Sequence, residues 1–130
     1  MDGTSRRKTA KTIIRLISAL EHIKMSEISL NNMSYNFAVY HSQQACEMSM
    51  KACLASVDLE DIFTHRVSGI FANRVINEVS EDLRMEFQSL LSKISELEFK
   101  YIPSRYDTVD ETGHLIAPFL EFDIDDAKDT

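Results

Sequence analysis

Polar residues of types that bind phosphate or transfer protons interrupt an otherwise apolar stretch, FAVYHSQQACEMSMKACL, at residues 37–54. They are His41, Gln44, Glu47 and Lys51. Glu47 precedes Lys51 by four residues, the order in which an ion pair stabilises a helix. The lysine is also a compact point charge suited to phosphate. The pattern leaves two interpretations open, an internal ion pair at the edge of a bundle or a polar cleft for a phosphate-bearing ligand.

A second candidate site lies in the segment PSRYD, residues 103–107. Arg105 offers a planar fork of donors for phosphate, and Tyr106 offers a ring on which a base can stack. The alternative is structural, since an arginine at a helix end can satisfy the last carbonyl groups or brace the tail against Glu47.

Arg15 and His22 form a third candidate, with six residues between them. On a helix they lie two turns apart on one side, where both can approach one phosphodiester. An arginine that binds phosphate and a histidine that transfers protons are the minimum for a metal-free ribonuclease. Such a spacing also arises often by chance.

Other kinds of chemistry have no support in the sequence. The chain has four histidines, His22, His41, His65 and His114. No two of them have metal-ligand spacing with a cysteine or an acid, and there is no phosphate-binding glycine loop or nucleophile elbow. Cys46 and Cys53 would lie about 10 Å apart on one helix, too far for a disulfide. We therefore expect neither metal nor cofactor.

Composition and charge indicate one soluble domain spanning residues 1–130. The 130 residues are 44% hydrophobic and 27% charged, and no apolar run reaches the length of a membrane span. The net charge of the chain is −7, and residues 107–130, with eight acids and one lysine, have the same net charge of −7. Residues 1–24 are basic, with six Lys or Arg and two acids. We expect a cytoplasmic protein with a basic start and an acidic tail at 107–130.

Apolar periodicity predicts four helices. The first covers about 8–30, with Ile13, Leu16, Ile17, Leu20 and Ile23 in one stripe, and the second covers about 33–56 and is apolar on two sides, as a central helix is. A third is expected to start at Asp58 and to contain Gly69, and a fourth runs from Ser80 to Pro103.

After Pro103 the helical pattern is lost. Leu115, Ile116, Phe119 and Leu120 are expected to hold this segment against the bundle, and 123–128 is expected to form a short last helix. The fold class predicted is all-α, an up-and-down antiparallel bundle of four to five helices with an irregular C-terminal tail.

Three sequence segments resemble the HEPN domain family, named for higher eukaryotes and prokaryotes nucleotide-binding. They are YHSQQA with Glu47 and Lys51-Ala52 behind it, Thr64-His65, and Ser104-Arg105-Tyr106, in the order that the family shows. The resemblance covers about 35–107. It implies a helical bundle, commonly dimeric, that often acts beside a minimal nucleotidyltransferase in toxin–antitoxin pairs or RNA-targeting defence.

The resemblance also implies limits on activity. Some members are metal-free ribonucleases with an Arg-x(4–6)-His motif late in the chain, and beyond Arg66 this sequence has no such pair. We therefore expect a non-catalytic module that binds a nucleotide, an RNA phosphate or a nucleotidyltransferase-type partner. A ribonuclease using Arg15 and His22, and a purely structural homodimer with Phe99 and 115–120 at its contact, are the alternatives.

Overall fold

Helices account for most of the chain in the computed structural model, which describes residues 3–59 and 67–130. In those ranges the helices are α1 (Gly3–Asn31), α2 (Tyr35–Ser56), α3 (Ser68–Arg74), α4 (Glu81–Phe99), α5 (Tyr101–Arg105), α6 (Pro118–Glu121) and α7 (Ile124–Asp129). A 3-10 turn, Ile76–Glu78, precedes α4, and strands β1 (Thr108–Val109) and β2 (Leu115–Ile116) pair antiparallel. The predicted all-α bundle with a C-terminal tail is confirmed.

Helices α1 and α2 form an antiparallel hairpin. The loop between them is short because Met33 adopts a left-handed conformation with φ of 61°. The amides of Met33 and Ser34 donate to the carbonyl groups of Leu30 and Ser29, which is the Schellman arrangement that ends a helix. Asp58, with φ of 69°, ends α2 in the same way.

Helix α2 is the central helix, as predicted, and contacts each of the other helices α1 to α7. Its C-terminal half lies in one apolar cluster, formed by Met50, Leu54, Val67, Phe71, Val75 and Ile76. Its N-terminal half lies in a second, formed by Ala38, Val39, Phe122 and Ala127. The described residues therefore form two small cores along one helix.

The start predicted for the third helix, at Asp58, is wrong. Asp58 ends α2 instead of starting the next helix, because its left-handed backbone turns the chain away. Helix α3 begins at Ser68, and residues 60–66, which include the Thr64-His65 pair, lie outside the described ranges. A Cβ added at Gly69 would meet nothing within 4 Å, so no close helix approach explains this glycine.

Helix α4 begins as predicted but ends earlier. The Ser80 hydroxyl accepts a hydrogen bond from the amide of Leu83, and Glu81 and Asp82 lie in the first turn, where negative charge is favourable. The helix ends at Phe99, and a separate short helix, α5, includes Pro103. Proline is tolerated there because the first turn of a helix leaves its amides unpaired.

Of the four residues predicted to hold the tail against the bundle, Ile116 is half-buried, and the side chain of Leu120 lies outside the described part of the structure. Leu115 and Phe119 are 75% and 71% exposed, whereas Phe122 and Ala127 are buried against α2. The predicted last helix is confirmed as α7, with Asp123 and Asp126 in a reciprocal capping box. Apolar character alone did not identify which tail residues lie inside.

The apolar stripe of α1 is largely exposed. Its members are each about half exposed: Ile13 50%, Leu16 46%, Ile17 54%, Leu20 66% and Ile23 46%. Helix α1 uses a different side, around Ala19, to contact α2. No helix in the described ranges is apolar over a length that would cross a bilayer.

Candidate functional site

Two histidines from different helices meet between α1 and α2. The Nδ1 atoms of His22 and His41 lie 2.9 Å apart, and the ring centroids are 5.2 Å apart. One turn further along α1, the Ser26 hydroxyl donates to the carbonyl group of Ala38 and lies 2.7 Å from the Ser42 hydroxyl. These polar contacts fix the register of the hairpin and therefore fix the histidine pair.

The direct contact determines the tautomers of the pair. When both rings are neutral, one Nδ1 must donate and the other must accept, so the two Nε2 atoms differ, one carrying a lone pair and the other a proton. Burial lowers the pKa of both histidines, and for His22 the nearby Glu47 carboxylate opposes the shift. The neutral pair thus holds one proton acceptor and one proton donor side by side.

An aromatic and cationic cluster continues from this pair. The Arg105 guanidinium lies 5.4 Å from the ring centroids of both Tyr40 and Tyr106, and its Nη1 donates to the Tyr101 hydroxyl at 3.0 Å. The Tyr40 ring lies 5.0 Å from that of His41. We call His41, Tyr40, Tyr101, Arg105 and Tyr106 the arginine–tyrosine cluster.

Among the described residues, no acid neutralises the charge of Arg105. No carboxylate of the described residues contacts its guanidinium, and the hydrogen bond that it donates to the Tyr101 hydroxyl is the main cause that raises the pKa of Arg105. Burial raises the pKa of Tyr40, so its hydroxyl stays protonated at neutral pH. The cluster therefore has one exposed positive charge beside three phenol hydroxyl groups.

The short helix α5 positions Arg105. The Asn36 side chain on α2 donates to the carbonyl group of Ser104 at 3.3 Å, and the fully buried Ser104 hydroxyl donates to the Tyr101 carbonyl group at 3.0 Å. Helix α5 is thus fixed to the N-terminal half of α2. Pro103 and the break after Phe99 direct the chain there.

Glu47 and Lys51 form a buried ion pair. Lys51 Nζ lies 3.3 Å from Glu47 Oε2, and the two side chains are 10% and 1% exposed. Gln43 donates to the other Glu47 oxygen at 3.3 Å, and Gln44 donates to Gln43 at 2.6 Å. The polar residues of α2 therefore form a hydrogen-bonded row inside the protein.

The structure separates Lys51 from the arginine–tyrosine cluster. Lys51 lies eleven positions after Tyr40, which is about 16 Å along α2. A single phosphate at Arg105 is therefore beyond direct reach of Lys51, and only a longer ligand could contact both. The roles predicted for Lys51, Glu47 and Gln44 stay predictions.

Arg15 and His22 are on the same side of α1, as predicted, but Arg15 is used within the hairpin. Its Nη1 donates to the carbonyl group of Lys51 at 3.1 Å. This contact places Arg15 at the C-terminal half of α2, about 10 Å along α1 from His22. The structure pairs His22 with His41 instead.

Two cavities of about 480 Å³ flank α7 and share Cys46, but neither contains the arginine–tyrosine cluster. Burial raises the pKa of the Cys46 and Cys53 thiols, which keeps them protonated and unreactive. In the described ranges, no group of three or more His, Cys, Asp or Glu residues is arranged to hold a metal ion.

Sequence reasoning missed Tyr40 and Tyr101 as site residues. Tyr101 falls within the predicted fourth helix, four residues after Leu97, a spacing that is typical of an apolar helix face. The contact between Tyr101 and Arg105 could have been predicted from their spacing of four residues, because residues four apart are neighbours on a helix. The His22–His41 contact carries no sequence signal, because nineteen residues separate the two.

Comparisons with known proteins identify the family. The HEPN domain model matches residues 14–130. A Methanocaldococcus jannaschii protein named "Putative toxin MJ1304" is 32% identical over 124 residues, which cover 94% of this chain and 78% of that protein. No solved structure gives a significant match. The chain therefore belongs to the HEPN domain family.

Proposed function

We propose that this chain is a HEPN module that binds the phosphate of a nucleotide or of single-stranded RNA at the arginine–tyrosine cluster. The observation that carries the proposal is the exposed Arg105 guanidinium, set between the rings of Tyr40 and Tyr106 with no carboxylate contact among the described residues. The rings hold the guanidinium plane in place, which lowers the entropy lost when it binds phosphate.

The chemistry of the cluster fits a nucleotide in two ways. Guanidinium binds phosphate through parallel hydrogen bonds that are about twice as strong as neutral ones. Tyr106 is 47% exposed and offers a face for a base, which is worth about 1–3 kcal/mol by stacking. The net charge of −7 argues against broad electrostatic attraction to nucleic acid, so we expect local recognition.

The test is calorimetric titration with ATP and with a short 5′-phosphorylated single-stranded RNA. Arg105→Ala should weaken binding by about 10- to 100-fold, since a hydrogen bond to a charged group is worth about 1.5–3 kcal/mol. Arg105→Lys should recover only part of the affinity, because it keeps the charge and loses the fork. Tyr106→Ala should weaken the RNA complex by about tenfold or more.

Arg74→Ala is the matched control, since Arg74 is an exposed arginine at the end of α3. It should leave the affinity unchanged. Saturable binding that is equally strong in wild type and Arg105→Ala, or no binding of either ligand by the folded wild type, would overturn the proposal.

Metal-free RNA cleavage is the second candidate function, and the His22–His41 contact favours it. A neutral pair with one proton acceptor and one proton donor has the groups that attack by a 2′-hydroxyl and departure of a 5′-oxygen require. The name of the archaeal relative, a toxin, is in line with such an activity. For this second function, the arginine–tyrosine cluster binds the phosphodiester of the RNA beside His41.

Cleavage of RNA in EDTA tests this candidate. His22→Ala and His41→Ala should each abolish it, while His114→Ala, which changes an exposed histidine of the β1–β2 hairpin, should not. RNA cleavage that survives in both pair variants would exclude the pair as acid and base.

The same proposal includes a toxin-like role, a cytoplasmic location, a nucleotidyltransferase-type partner and a homodimer. The exposed apolar residues of α1 support association with another protein surface. Light scattering of the purified chain, alone and after co-expression with a minimal nucleotidyltransferase, measures which association occurs.

A further inference from the structure

The exposed stripe of α1 has a positive charge at each end. Arg6, Ile13, Ile17, Leu20 and Lys24 follow one another at intervals of 7, 4, 3 and 4 residues, so they lie along one line of the helix. Arg6 and Lys24 are both exposed, and no carboxylate of the described residues contacts either one. The stripe is about 27 Å long from Arg6 to Lys24.

Exposure on this scale is unusual for a monomer. Soluble monomers expose apolar side chains singly, whereas a contiguous patch rimmed by charge marks an interaction site. Ile13, Ile17 and Leu20 are each at least 50% exposed and stand next to Leu16 and Ile23. The occupant of this surface should be apolar in the centre and acidic at both ends.

The C-terminal tail of the same chain has that complementary pattern. Leu115 and Phe119 are 75% and 71% exposed, and the exposed acids Glu111 and Glu121 lie on either side of them in sequence. We call these four residues the acidic–apolar segment. It exposes its largest apolar side chains instead of burying them on its own α2.

We propose that the α1 stripe of one copy is covered by the acidic–apolar segment of a second copy, and the reverse. This rests on the homodimer included in the proposed function and names its surfaces. Each copy supplies both a stripe and a segment, so a two-fold arrangement forms two equal contacts and leaves neither patch exposed.

The segment does not cover the stripe of its own chain. Within one copy, α7 of the tail meets α1 near Ser26, Glu27 and Leu30, whereas the stripe residues from Ile13 to Leu20 stay exposed. The positive charges of Arg6 and Lys24 are thus available to carboxylates from outside the chain.

Light scattering over a range of protein concentrations tests the apolar half of the contact. Ile17→Asp should raise the dimer dissociation constant at least tenfold, because it places a carboxylate in the centre of the stripe. Met25→Asp is the matched control, since Met25 is 40% exposed on the same helix but about 120° around it from Ile13. It should dimerise as wild type does.

A charge exchange tests the electrostatic half. Arg6→Glu/Lys24→Glu reverses the stripe ends, and Glu111→Lys/Glu121→Lys reverses the segment ends. Each double variant alone should dimerise at least tenfold more weakly than wild type, because like charges then meet. A mixture of the two should form a heterodimer of near wild-type affinity, because both contacts in it again join opposite charges.

Three results would overturn the inference: a wild-type monomer at all concentrations, a dimer that Ile17→Asp leaves unchanged, or a mixture that forms no more dimer than its components. ATP and RNA titrations of Ile17→Asp separate this inference from the phosphate site. Loss of the dimer with phosphate binding retained at Arg105 would support the named surfaces, whatever the ribonuclease assays give.

Discussion

In the Glu47–Lys51 pair, the lysine stabilises a buried carboxylate. Glu47 is 1% exposed and has Lys51 and Gln43 as hydrogen-bonding partners. We expect Lys51→Met to lower the free energy of unfolding by about 3–5 kcal/mol, because it removes the lysine that pairs with a buried carboxylate. Urea unfolding monitored by circular dichroism measures the loss.

The double variant Glu47→Gln/Lys51→Met should recover most of that stability, since it removes both charges. Lys93→Met, at an exposed lysine of α4, should have little effect. If Lys51→Met keeps wild-type stability but loses affinity for ATP, the ligand role predicted for Lys51 is correct and its structural role is minor.

The histidine pair makes stability depend on pH. Burial holds the pKa of His22 and His41 below the ordinary value of 6.5, so the unfolded chain binds more protons just below that pH. The free energy of unfolding should therefore fall as the pH drops below about 6.5, and level off below the folded-state pKa values. Above that pH these two histidines do not make the free energy of unfolding depend on pH.

Urea unfolding between pH 5 and pH 8 measures this slope, which should be smaller in His22→Gln/His41→Gln. His114→Gln should retain the wild-type slope. An unchanged slope in the double variant would show that other groups cause the pH dependence.

At the scale of elements, both ends of the α1–α2 hairpin depend on a left-handed residue that is not glycine. A left-handed conformation costs an L-residue about 1–2 kcal/mol. Met33 is 74% exposed, so Met33→Gly should raise the free energy of unfolding by about 0.5–1 kcal/mol, while Met33→Ala should not.

Asp58→Gly should raise the free energy of unfolding by less than Met33→Gly does. Asp58 also forms a surface ion pair with Lys8 at 3.1 Å, and the substitution removes that pair. Thermal unfolding of the three variants ranks them. Equal stability of Met33→Gly and Met33→Ala would contradict the assignment of strain to the Met33 backbone.

The sequence predicted the positions of the helices better than the contacts that the helices make with distant segments. Apolar spacing located α2 within two residues and identified Ser80 as the cap of α4, because both signals are local. The same spacing located the stripe around Leu20 but could not say whether this chain covers it. The contacts of Arg105 with Tyr40 and of His22 with His41 join distant segments, so only the fold reveals them.

At the scale of the whole molecule, Phe122 attaches the acidic tail to the bundle. It is 8% exposed and lies with Ala127 against Ala38 and Val39 of α2. Phe122→Ala should release the tail and lower the free energy of unfolding by about 3 kcal/mol. Limited proteolysis should then cleave within 107–130 well before the bundle is degraded.

Ile124→Ala is the control for tail attachment, since Ile124 is 42% exposed and its loss should change proteolysis little. A tail that remains resistant in Phe122→Ala would mean that α5 and the β1–β2 hairpin hold it without the second core.

The central position of α2 has a consequence for synthesis on the ribosome. Helices α1 and α2 emerge first and can pair at once, since the contacts of His22, Ser26 and Arg15 with α2 all lie within the first 51 residues. The faces of α2 that later meet α3, α4 and the tail stay without their partners until those segments, residues 68–99 and 108–129, have been made. During that interval the nascent hairpin exposes Val39, Met50 and Leu54, which makes it a substrate for chaperones.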